Sequence, residues 1–219
     1  DSLRCTTIGN GSHQLRTVEH LLAALSGLEI CNIEIYTEDS EIPGLDGSAL
    51  PIVKLLKRLG IQRQKAARDV YQIKEPIFCY DKAKTIAVYP DDVFRVAYVL
   101  DYSHPDLKYQ TASFEVTPKT FETEIAPART FCLEEEASAL KKKGFGSGAD
   151  TQNTLVFGKT GVIQNTLRFT NECARHKVLD IIGDTNLLGY RILGSIVGIR
   201  SGHGLNAKLV EAIRKQRGQ

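Results

Sequence analysis

The stretch RHKVLDIIGD, residues 175–184, sets His176, Asp180 and Asp184 four residues apart in an otherwise apolar segment. Positions i and i+4 are neighbours on a helix, so this spacing predicts one imidazole and two carboxylates in a single stripe. The stripe is read either as a buried ion pair or as part of a metal site. The elements that follow it decide the fold. A strand pattern, GSIVGIR (194–200), leads through the turn SGHGLN into an amphipathic helix, LNAKLVEAIRKQ (205–216). The other end of the chain repeats this order: the helix pattern TVEHLLAALSGL (17–28), the alternating CNIEIYTE (31–38), the turn chemistry of IPGLDGS (42–48), and the helix ALPIVKLLKRLG (49–60) with Pro51 in its first turn. His20 precedes Gly47 by 27 residues and His176 precedes His203 by 27. Two units of helix, strand, turn and helix predict a duplicated α+β arrangement in which each unit presents one histidine-bearing helix. No βαβ rhythm of a doubly wound sheet is visible.

Between the two units the pattern is mostly strand. LRCTTIG and HQLRT read as short strands ahead of the first helix, with Thr17 as its N-cap and Gly27 as its C-cap. IQRQKAARD (61–69) is polar and reads as a linker. VYQIKEPIFCY, KTIAVYP, FRVAYVLDY and QTASFEV read as strands between residues 70 and 116. CLEEEASALKKKG (132–144) reads as helix, GFGSGAD (144–150) as a turn, and TLVFG (154–158) as a strand. GFGSGAD lacks the G-x-G-x-x-G spacing of a dinucleotide site.

Composition narrows the function class. The 219 residues are 42% apolar and 25% charged with a net charge of +2, a globular profile without the basic excess of a nucleic-acid binder. No apolar run reaches the roughly 18 residues of a membrane span. Five cysteines at 5, 31, 79, 132 and 173 are odd in number and widely spaced, which argues against a disulfide framework and for a reduced, intracellular setting. The absence of methionine suggests that Asp1 is a processed or truncated start.

His176 and Asp180 are two candidate metal ligands from one helix, and His20 is the candidate third. Two histidines and one carboxylate leave an open position on zinc for water. Glu19, adjacent to His20, is the candidate base for that water. His203, in the turn SGHGLN, is a candidate protonated partner for an oxyanion or leaving group, with Asp184 supporting it. Ordinary salt bridging explains a His–Asp pair as well, and Glu19 suits the dipole of a helix start.

TVEHLLAAL, IPGLDGSA, ARTF, RHKVLDIIGD and SGHGLNAKLV, in this order, resemble the motifs of the UDP-3-O-acyl-N-acetylglucosamine deacetylase family over nearly the whole chain. The resemblance implies two βααβ layered domains, here 1–65 and 66–219, with helices sandwiched between sheets and an insert at about 132–158 shaping an acyl passage. It implies zinc, with Fe2+ as a second option, on His20, His176 and Asp180. It implies Glu19 as general base, His203 as charged stabiliser or general acid, and Asp184 as its support. Thr130 would help hold the carbonyl oxygen, and Phe131 and Lys177 would contact substrate. The implied reaction removes acetate from a UDP-linked, 3-O-acylated N-acetylglucosamine, the committed step of lipid A synthesis, in the bacterial cytoplasm, or in a mitochondrion if the source is a plant. The family carries about sixty residues ahead of RCTT, so the first domain is expected to lack strands, expose a sheet edge and self-associate. A non-haem iron oxygenase, which uses the same ligand triad, and a non-catalytic fragment binding a nucleotide sugar are the alternatives. No nucleic acid and no membrane span are expected.

Overall fold

The computed structural model describes residues 5–137 and 150–218. The chain is α+β, and its main sheet has six strands. Strands β4 (Ile77–Asp81), β5 (Lys84–Tyr89), β11 (Arg191–Ile199), β6 (Phe94–Leu100) and β7 (Gln110–Glu115) lie side by side in that order. The short β3 (Val70–Gln72) pairs with the first half of β11, which then pairs with β5 over its second half. β11 runs parallel to β6 and antiparallel to β5. Burial alternates strictly along β6 and β11, so one sheet face is covered and the other is not.

The covered face carries α3 (Glu172–Thr185), which packs on β6 and β7, and α4 (His203–Arg217), which packs on β4 and β5. Every residue of α3 is buried except Arg175 and Lys177. A helix buried all round needs cover on both sides. The sheet covers one side, and α1 (Glu19–Gly27) packs along the other. α2 (Leu50–Leu59) is strongly one-sided, burying Ile52, Val53 and Leu56 while Leu55 and Leu59 face water. A second sheet, β8 (Phe131–Leu133), β9 (Leu155–Gly158) and β10 (Gly161–Val162), has three strands. β1 (Ile8–Gly9) and β2 (Gln14–Leu15) form a small hairpin before α1.

Four local expectations change. CNIEIYTE, predicted as a strand, forms no ladder with any described residue, and Ile33, Ile35 and Tyr36 are exposed. Alternation supplies the side-chain pattern of a strand, but the ladder itself needs a neighbour. Thr17 does not cap α1: its φ is 59° and its hydroxyl bonds Glu41 at 2.8 Å, while Val18 takes the cap position without a side-chain bond. Gly27 is the last residue of α1 and Leu28 takes the C-cap position; glycine at 27 serves packing, since a Cβ there would lie 2.1 Å from the Phe121 ring. Cys132 and Leu133 extend β8, and helix begins only at Glu134, because Phe131–Leu133 finds a parallel partner in Leu155–Phe157. Most of GFGSGAD lies outside the described residues.

Candidate metal centre

The first turn of α1 meets the second half of α3, with backbones in near contact at its last turn. Gly183 makes this approach possible, because a Cβ on it would lie 2.1 Å from the Glu19 carbonyl oxygen. At this crossing one ligand-capable atom from each of His20, His176 and Asp180 lies within 4.8 Å of the other two. The two imidazoles stand edge-to-face, with centroids 5.0 Å apart at 89°. All three side chains are buried.

Protonation follows from the surroundings. His176 Nδ1 lies 3.1 Å from the Ala128 carbonyl oxygen, an acceptor only, so Nδ1–H donates there and Nε2 is left with a lone pair. That nitrogen faces Asp180 Oδ1 at 3.4 Å, and Oδ1 is buried without a hydrogen-bond partner. Burial pushes His20 down to about 3, helped by His176, and burial likewise lowers His176, so both imidazoles are neutral at pH 7. Burial alone would raise Asp180, but Lys177, His176 and His203 together hold it below the usual carboxylate range. Lys177 Nζ lies 2.5 Å from Asp180 Oδ2. Two neutral nitrogens and one unpaired carboxylate oxygen converging on a buried point are costly without a cation and fit a zinc ion well.

Across from the triad sits a second group. His203, at the start of α4, places Nε2 3.9 Å from Glu19 Oε1 and 3.8 Å from Asp180 Oδ2. Its Nδ1 lies 2.9 Å from Asp184 Oδ2, which also accepts from Asn206 Nδ2 at 2.8 Å. Burial raises Glu19 to about 7, with His203 opposing the rise. Burial pulls His203 down, but Asp180 and Asp184 overcome it and lift the imidazole to about 9. Between these values the carboxylate and the imidazolium are both charged, the pairing of base and acid that hydrolysis needs.

The ARTF segment closes one side. Arg129 is buried, with Nε 2.8 Å from Glu172 Oε1 and further bonds to Asn165 and Thr166, which ties the segment to the start of α3. The Thr130 backbone is held on both sides: its N–H donates to Gly47 O at 2.8 Å and its carbonyl accepts from Leu155 N–H at 2.9 Å. Gly47 has φ +81°, and a Cβ there would lie 1.8 Å from Asn153 O, so only glycine fits this turn. Phe131 lies edge-on to His176 at 6.4 Å and to Tyr102 at 5.7 Å. Tyr102 opens onto a cavity of about 560 Å³ also lined by Lys108, Tyr109 and Arg200.

All nine residues singled out in the sequence therefore have a place in or around this centre, with Thr130 and Phe131 on its flank. Sequence reasoning missed Thr6, Asn206, Arg129 and Glu172. Arg129 stands inside a quoted motif and Glu172 in the first turn of α3, where an acid suits the dipole. Asn206 likewise stands inside the quoted SGHGLNAKLV, but nothing local marks Thr6, whose partners arrive only on folding.

The family model described as UDP-3-O-acyl N-acetylglycosamine deacetylase matches residues 1–215. A relative named UDP-3-O-acyl-N-acetylglucosamine deacetylase from Syntrophotalea carbinolica is 39% identical over 97% of this chain and 69% of its own length. Its namesake from Oleidesulfovibrio alaskensis is 42% identical over 95% of this chain and 68% of its own. That of Methylococcus capsulatus is 39% identical over 99% of this chain and 72% of its own. The chain belongs to this deacetylase family.

Proposed function

We propose that this family member hydrolyses the 2-acetamido group of a UDP-3-O-(3-hydroxyacyl)-N-acetylglucosamine, releasing acetate, in the committed step of lipid A synthesis in the bacterial cytoplasm. The observation that carries the proposal is the unpaired Asp180 Oδ1 facing the Nε2 lone pair of His176, with His20 beside them and Glu19 next in sequence. A zinc ion held by these three side chains supplies a Lewis acid and lowers the pKa of water towards about 7. The same donor set accepts Fe2+. The Glu19 carboxylate takes the proton of the attacking water as its oxygen bonds to the acetamide carbon. The His203 imidazolium sets positive charge against the developing oxyanion and delivers the Nε2 proton to the departing amine nitrogen. Asp184 holds Nδ1–H and keeps that ring oriented. Thr130 helps hold the carbonyl oxygen, and Phe131 and Lys177 contact the substrate. The cations and aromatic rings of the cavity beside Tyr102 suit a nucleoside diphosphate.

The main sheet lies wholly within residues 70–199, which supports a boundary near residue 65. The segment 31–37, which pairs with no described strand and exposes Ile33 and Ile35, supports self-association through the first domain. No helix among the described residues is long and apolar enough to cross a membrane.

Metal analysis combined with acetate release tests this function. Asp180→Ala should lose stoichiometric zinc and turnover together. Full zinc retention in that variant overturns the ligand assignment, and a zinc-loaded parent chain that releases no acetate overturns the activity.

A further inference from the structure

Thr6 makes contacts with both halves of the acid–base machinery. It is 5% exposed and lies just before the β1–β2 hairpin. Its backbone N–H donates to Glu19 Oε2 at 2.9 Å, and its carbonyl accepts from Val18 N–H at 3.3 Å, at the start of α1. Its hydroxyl donates to Asp184 Oδ1 at 2.5 Å and lies 3.2 Å from His203 Nδ1. One residue thus touches the start of α1, the end of α3 and the start of α4.

The donor arithmetic leaves little freedom. Asp184 Oδ2 already accepts from His203 and Asn206, so the Thr6 hydroxyl is the hydrogen-bond donor to the other carboxylate oxygen. With its single proton spent on Asp184, the hydroxyl faces His203 Nδ1 with a lone pair, which makes Nδ1–H the compatible tautomer there. The ring is then held by Nδ1 against Asp184 and Thr6, and its Nε2 faces Glu19 and Asp180. The backbone bond does the same for Glu19: with Oε2 occupied, Oε1 is the oxygen turned towards His203.

We propose that Thr6 is a positioning residue of the deacetylase reaction. It sets the spacing between base and acid by bonding the Glu19 carboxylate through its backbone and the His203–Asp184 pair through its hydroxyl. This inference rests on the roles proposed above for Glu19 and His203. The hydroxyl bonds neither a metal ligand nor the aromatic cavity, so its loss should act on turnover and spare substrate binding. Rates are sensitive to misplacement on the ångström scale, which can cost about 10²-fold.

Thr6→Val removes the hydroxyl, keeps the shape and keeps the backbone donor to Glu19. Thr6→Ser restores the hydroxyl. In the zinc-loaded chain acting on UDP-3-O-acyl-N-acetylglucosamine, Thr6→Val should lower kcat about 10- to 100-fold with KM changed less than about twofold, and Thr6→Ser should recover most of the loss. If Thr6→Val does not fold, Thr6→Ala takes its place. A hydroxyl-free variant with the parent kcat, or a Ser variant as slow as the Val variant, overturns the proposal. A second readout is independent of turnover: the downfield imidazole N–H proton resonance of His203, assigned by its loss in His203→Gln. It should move or broaden in Thr6→Val and return in Thr6→Ser. If the parent chain releases no acetate, the functional proposal fails on its own. The resonance then decides Thr6: a change restored by serine supports the positioning contact, and no change overturns it.

Discussion

Replacing Gly183 by alanine should damage both stability and chemistry from a site that touches no substrate. On an exposed helix face the change would stabilise, since alanine is better than glycine in a helix interior by about 1 kcal/mol. Here the added methyl would lie 2.1 Å from the Glu19 carbonyl oxygen and 2.9 Å from its carbonyl carbon. A carbon–oxygen contact is comfortable at about 3.3 Å, so α1 and α3 must part by about 1 Å. Both partners are backbone, and no side-chain rotation relieves the clash. Overpacking of this kind costs about 1–3 kcal/mol, which outweighs the propensity gain. At about 2–4 °C per kcal/mol for a chain of this size, thermal unfolding should fall by several degrees. The displacement also separates His20 and Glu19 on α1 from His176 and Asp180 on α3. Metal–ligand distances tolerate only about 0.2 Å, so zinc affinity should drop, and kcat should fall by about 10²-fold even at saturating metal. Thermal unfolding with and without zinc, zinc stoichiometry after dialysis, and acetate release measure the three effects. A Gly183→Ala chain that melts at or above the parent temperature and keeps its zinc would refute the argument that helix contact builds the site.

Glu19→Gln should keep the metal and lose about 10²–10⁴ of the rate, because the amide still accepts from Thr6 N–H but cannot take a proton; loss of zinc in this variant would instead make Glu19 a ligand. In the zinc-loaded chain the rate should rise with pH as Glu19 ionises and fall as His203 loses its proton, and His203→Gln should abolish the falling limb; an unchanged limb assigns it to another group. In the metal-free chain both groups are raised in the folded state, His203 from 6.5 to about 9 and Glu19 from 4.5 to about 7. Each therefore contributes stability that is full below its unfolded value and lost as pH rises through its folded one, whereas the depressed His20 and His176 add stability as pH rises towards 6.5, so the two trends oppose each other below that value and the melting temperature should decline from about pH 7 to pH 9; a flat profile over that range contradicts the shifts. Amide exchange over residues 31–37 should be fast beside the protected β6 and β11, with self-association rising with concentration; protection equal to β6 would mean that the segment has a partner strand.

The residue types for the chemistry were legible in the sequence because they are local. His176, Asp180 and Asp184 share one face of one helix by spacing alone, and Glu19 and His20 are adjacent in a helix start. The strands from Val70 to Glu115 were equally legible, since alternation in β6 reflects a sheet covered on one face. Four things were decided by tertiary structure. His20 joins His176 and Asp180 only because Gly183 lets α1 touch α3, and no pattern within either helix specifies that crossing. Neutral imidazoles, a raised Glu19 and a raised His203 are consequences of burial and of neighbours far apart in sequence, whereas the side chains alone have ordinary values. CNIEIYTE has the alternation of a strand, yet a ladder is a property of two segments, and a pattern in one cannot supply the other. Thr6 is an unremarkable hydroxyl in the sequence, and its bond to Asp184, 178 residues away, exists only once three helices have converged around it.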